Sequence, residues 1–112
     1  MSASMPPSRH EKSAYVVVCR DGPNGAAVRA EQTQTHLRYI ETVLDELNIA
    51  GPLFAMGGNA PIGSLYVLHT KHLDRARELI DNDPYVRHGA FASIEFFPYI
   101  PAAGRWISGK IW

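Results

Sequence analysis

Apolar residues recur along this chain with two different periods, and each change of period marks an element. Ala14-Tyr-Val-Val-Val-Cys19 is a short β-branched run, and Asp21-Gly-Pro-Asn-Gly25 after it is a cluster of turn formers, so the pair reads as a strand and its turn. From Ala27 to Asn48 the period becomes helical, with Ile40, Val43, Leu44 and Leu47 on one stripe and Glu31, Arg38, Asp45 and Glu46 elsewhere. That helix is expected to stop before Ala50-Gly-Pro-Leu53, because the residue ahead of a proline is pushed into extended geometry. A second strand follows, through Met56. Gly57-Gly-Asn-Ala-Pro-Ile-Gly63 suits a hairpin loop into a third strand, Ser64-Leu-Tyr-Val-Leu-His-Thr70. Thr70 is placed to cap a second helix carrying Leu73, Ala76 and Ile80, which Asp83-Pro84 brings to an end. Gly89-Ala-Phe-Ala-Ser-Ile-Glu-Phe-Phe97 supplies a fourth strand.

The order βαββαβ predicts a ferredoxin-like α+β fold, two helices covering one face of a four-stranded antiparallel sheet. In the fourth strand Phe91 and Phe97 are expected to point one way and Ala92, Ile94 and Phe96 the other, so both faces are largely apolar. A water-facing side does not look like that. Either the tail from Tyr99 to Trp112 adds a layer or a second subunit covers the face, and the partner is the favoured reading. The expected division is a flexible arm over 1–12, the domain over 13–98 and an extension over 99–112 that packs on the domain or its partner.

Composition narrows the functions. Among 112 residues, eleven Lys and Arg balance eleven Asp and Glu, which removes the positive excess that binding to nucleic acid or to a membrane surface relies on. Cys19 is the sole cysteine, so neither a disulfide framework nor a thiolate-rich zinc site is expected. The polar, proline-bearing start has no secretory apolar run, and no transmembrane stretch appears, so a reducing, cytoplasmic setting is expected. His10, His69, His72 and His88 lack the spacing of a metal site, and no glycine-rich dinucleotide fingerprint opens a helix, so neither metal nor cofactor is implied.

Several segments together resemble the YciI-like (YCII-related) family: Gln34-Thr-His-Leu-Arg38 in the first helix, Ala50-Gly-Pro-Leu53, Gly63-Ser-Leu65, and Asp83-Pro-Tyr-Val86 followed by Gly89. The resemblance implies a dimeric α+β barrel in which the bare sheets of two units face each other. It also implies an active-site His–Asp pair, carried here onto His36 and Asp83, and chemistry on small ring compounds, dehydrochlorination among it. The extension from Ala102 to Trp112 exceeds the shortest members.

Read from the residues alone, His36 falls on the stripe of Ile40, Val43 and Leu47, which faces the sheet and also suits a core histidine bonded to a backbone carbonyl. Asp83 sits where the second helix ends, a place the macrodipole disfavours for an anion, so it serves either as a cap before Pro84 or as a carboxylate orienting one imidazole nitrogen. Asp81 is a neighbouring alternative. Ser64 and Tyr85 are candidates to hold a polar group of a ligand, and Arg38 or Arg87 to anchor a carboxylate. Two functions remain open: an enzyme using His36 and Asp83 for acid/base isomerisation, elimination or hydrolysis of a small cyclic or carboxylated compound, or a non-catalytic dimer that binds a small molecule.

Overall fold

The computed structural model describes residues 12–107 and 109–110, so the arm expected over 1–12 lies outside the described residues except for Lys12. Strands β1 (Ala14–Asp21), β2 (Leu47–Phe54), β3 (Pro61–Leu68) and β4 (Phe91–Tyr99) alternate with helices α1 (Gly25–Thr42), α2 (Leu73–Asp81) and α3 (Pro84–Arg87). The strands form one antiparallel sheet in the order β2-β3-β1-β4, the ferredoxin-like α+β arrangement. Two short strands, β5 (Ala103–Gly104) and β6 (Gly109–Lys110), pair separately.

The core lies between sheet and helices. Val17 and Cys19 of β1 and Tyr66 and Leu68 of β3 point to the helix side, where Ala76, Leu79 and Ile80 of α2 close on them. α1 behaves differently. It buries only Gly25 and Val28 along eighteen residues, so most of its length stands off the sheet and leaves space beneath it.

Local chemistry explains where the elements depart from the expected bounds. α1 stops at Thr42, Leu44–Glu46 make a 3-10 turn and Leu47 opens β2 opposite Leu68. Leu44 and Leu47 fit a helical period, but periodicity cannot tell a short strand from a helix, and here sheet pairing wins. Leu44 is accordingly exposed. Ala50-Gly-Pro-Leu53 therefore lies inside β2, and Pro52 is tolerated there because β2 is an edge strand. The helix cap at Thr70 shifts by two residues: His72 is the N-cap of α2, and Thr70 Oγ1 accepts from the His72 N–H.

Phe91 is the clearest correction. Cys19 faces Ile94 but Asp21 faces Phe91, so a bulge absorbs Ala92 and turns Phe91 to the helix side with Ile94 and Phe96 rather than to the side of Phe97. The opposite side of the sheet carries Val16, Val18, Leu65 and Val67 by alternation, with Phe97 and Tyr99 47% and 43% exposed. Pro101 and residues 103–106, with Ile49, Val67 and Tyr99, border a cavity of about 560 Å³ at one end of it.

Candidate active site

α1 presents Arg29, Thr33 and His36 inward at i, i+4 and i+7, above the space it leaves over the sheet. His36 Nδ1 lies 2.8 Å from Asp83 Oδ1. The carboxylate is an acceptor, so Nδ1 carries the hydrogen, and in the neutral ring Nε2 keeps its lone pair. Asp83 is fully buried, and an unpaired charge there would be costly. Three donors satisfy it: the imidazole, the Tyr85 backbone N–H at 2.9 Å to the same oxygen, and the Tyr66 hydroxyl at 2.6 Å to Oδ2. Burial and the adjacent Asp83 charge push the Tyr66 phenol far above its ordinary pKa, so it remains a donor.

Asp83 does not end α2. It is the N-cap of α3, with Pro84 at the first helical position, so the dipole that was expected to oppose the carboxylate instead favours it. Capping and histidine orientation are thus two uses of one side chain. Tyr85, the residue that α3 fixes next, stacks flat on the His36 ring at 4.0 Å and 9°.

At the other end of the stripe Arg29 binds Asp21 through Nε and Nη2, both at 2.9 Å, and Nη2 also donates to Gly63 O and to Ser64 Oγ. The bond to Asp21 raises the Arg29 pKa further. Gly25 makes this possible, since a Cβ there would come within 2.5 Å of the Asp21 carboxylate. The guanidinium lies against the rings of Tyr85 and Phe91, 5.1 and 5.7 Å from their centres. His36, Arg29, Ser64, Tyr66 and Tyr85 line one cavity of about 620 Å³, whose remaining wall is mainly apolar, including Ala30, Ile40 and Pro52. Among the described residues no buried side-chain nitrogen or oxygen lacks a partner, so Nε2 of His36, which has no bond of its own, is open to this space.

The sequence profile of the YCII-related domain matches residues 13–100. The chain belongs to the YCII-related family. Protein YciI of Escherichia coli O6:H1 and that of Shigella flexneri are each 28% identical over 92 residues, covering 76% of this chain and 94% of theirs. The solved structure of 5-chloro-2-hydroxyhydroquinone dehydrochlorinase from Burkholderia phenoliruptrix AC1100, in complex with 2,5-dihydroxybenzoquinone, superposes with a TM-score of 0.71 at 22% identity, covering 82% of this chain and 96% of that one. That likeness is one of fold.

In this YCII-related chain the sequence-derived candidates separate cleanly. His36, Asp83, Ser64 and Tyr85 come together, while Asp81 is exposed. Arg38 does not join them. Two residues beyond His36 is more than half a turn around the helix, so Arg38 points to solvent, and Arg87 is exposed beside Asn82. The cation in the cavity is Arg29, and the hydroxyl behind the carboxylate is Tyr66. Arg29 lies two helical turns before His36, a spacing that would have found it; Tyr66 is two residues after Ser64 on the same strand face. Among the described residues no group of three or more His, Cys, Asp or Glu side chains is arranged to hold a metal ion, and no helix is long and apolar enough to cross a membrane.

Proposed function

We propose that the protein is a small-molecule enzyme in which His36, oriented by Asp83, moves a proton on a small cyclic or carboxylated compound in an isomerisation, elimination or hydrolysis. The observation that carries this reading is the 2.8 Å bond between His36 Nδ1 and a buried, three-donor Asp83 carboxylate, which leaves Nε2 facing the cavity. Nε2 accepts a proton from the bound compound, and the imidazolium so formed is stabilised by Asp83. It then returns the proton to a different atom, or to a leaving group. The apolar wall suits a ring, and the related dehydrochlorinase was captured with a dihydroxyquinone. The working form is a homodimer, closed over the apolar sheet side that carries Phe97 and Tyr99.

A thermal-shift series with 2,5-dihydroxybenzoquinone and small aromatic acids, followed by NMR of the histidine rings, tests this. A bound compound is expected to raise the melting temperature with concentration and to move the His36 signals. Binding that leaves His36 unmoved would contradict the proposal, whereas binding at His36 without turnover would favour the non-catalytic module.

A further inference from the structure

Building on the acid/base reading of the cavity, we infer that Tyr66 is a positioning residue of that site: its hydroxyl, bonded to the second oxygen of Asp83, keeps the carboxylate ionised, so that a proton taken up by the His36–Asp83 pair stays on the imidazole.

A tyrosine is not what packing asks for at this position. Its side chain stands in the hydrophobic core, 2% exposed, among Val17, Cys19 and Leu68, where a phenylalanine ring would fill the same space. A buried hydroxyl is costly unless it is bonded, and the bond that offsets this one runs to Asp83 Oδ2 at 2.6 Å. Helix capping does not call for it either. Any aspartate at the start of α3 would receive the Tyr85 N–H on one oxygen. The Tyr66 hydroxyl comes instead from β3, seventeen residues earlier in the chain, and serves the oxygen that the cap leaves over.

Proton placement gives the bond its use. In a dry interior an imidazolium beside a carboxylate competes with the neutral pair that forms when Nδ1 gives its hydrogen to Oδ1. In that neutral pair the ring holds one hydrogen, on Nε2, and a neutral imidazole is a far weaker acid than an imidazolium. It would return the proton to the bound compound poorly. Each hydrogen bond to the ionised carboxylate tilts the balance toward the ion pair, and a charge-assisted bond does so most.

No other group near the pair replaces this donor. The titratable neighbours are Cys19 from β1, Arg29 and Tyr39 from α1 and Tyr85 from α3, while α2, β2 and β4 contribute apolar side chains such as Ile80, Ala50 and Ile94. Burial raises the Cys19 thiol and the Tyr39 phenol, so both stay neutral. Arg29 is matched by Asp21. Among the described residues, Oδ2 is served by Tyr66 alone.

Carbon NMR of the Asp83 carboxyl and nitrogen NMR of the His36 ring, followed against pH in the free protein, read the proton directly. In the wild type Asp83 is expected to keep its carboxylate signal while both ring nitrogens become protonated. An Asp83 carboxyl that protonates in the same step would overturn the inference. Tyr66→Phe keeps the ring and removes the hydroxyl, and the pH at which the pair takes up its proton is expected to move up by about one unit, the effect of one hydrogen bond to a charged group. The low-pH limb of deuterium uptake by 2,5-dihydroxybenzoquinone in D2O should move with it, which a mere loss of stability would not cause. Should the variant fail to fold, the wild-type spectra decide alone. An unmoved midpoint, with exchange lost in His36→Gln, would overturn the inference and leave the acid/base reading standing. A midpoint that moves as expected, in a protein whose His36→Gln form exchanges as fast as the wild type, would support the role of Tyr66 and defeat the acid/base reading alone.

Discussion

At the scale of single residues, the buried polar groups behave as their surroundings dictate. Asp83 tolerates full burial because three donors share its two oxygens. Cys19 has no such donors among the described residues, and burial, with the Asp83 charge behind it, pushes its thiol from 9.0 up to about 12. The folded state therefore favours the neutral thiol. Its contribution to stability is complete below about pH 9, where the unfolded chain is also protonated, and declines as pH rises from there through about 12. Urea midpoints across that window should fall more steeply for the wild type than for Cys19→Ala. Parallel curves for the two proteins would show that the thiol is not the group responsible.

At the scale of elements, the strands and their order were legible because β-branched runs and turn formers are local signals, read from Ala14 to Cys19 or at Gly57 and Gly58 without knowledge of the fold, although β3 begins at Pro61, inside the expected loop. Three features were not legible. The end of α1 is set by Leu47 pairing with Leu68, a long-range event, and the turn of Phe91 depends on a bulge that no local pattern announces. Arg29 escaped because a search for apolar periodicity passes over a helix whose inward face is polar, and α1 is polar there for the reason that it roofs a cavity. His36 and Asp83 were named through the family resemblance; spacing alone favoured a core histidine. The start of α1 is the element most sensitive to a small change. Gly25→Ala would force its new methyl against the Asp21 carboxylate and disturb the Arg29 clamp, so it is expected to cost about 1–3 kcal/mol, the usual range for overpacking. Urea denaturation checks this, and an unchanged midpoint would mean that Asp21 relaxes freely.

At the scale of the whole molecule, one sheet side is built into the core and the other is apolar yet accessible, with Val16, Val18, Leu65, Val67 and Phe97 on it. Such a surface on a chain of 112 residues is expected to bury more than roughly 1,200 Å² in a homodimer. Light scattering at micromolar concentration should give twice the chain mass, and Phe97→Glu should give the monomer. A monomeric wild type would contradict the dimer.

The site itself is assembled at this scale, with His36 from α1, Tyr66 from β3 and Asp83 from the cap of α3 meeting across the fold. The most direct test of proton transfer is deuterium incorporation into the ring of 2,5-dihydroxybenzoquinone in D2O, followed by proton NMR. The wild type is expected to accelerate exchange above the buffer rate, and Asp83→Asn to slow it, with His36→Gln returning it to the buffer rate. Exchange as fast with His36→Gln as with the wild type would contradict the assignment of His36 as the group that moves the proton.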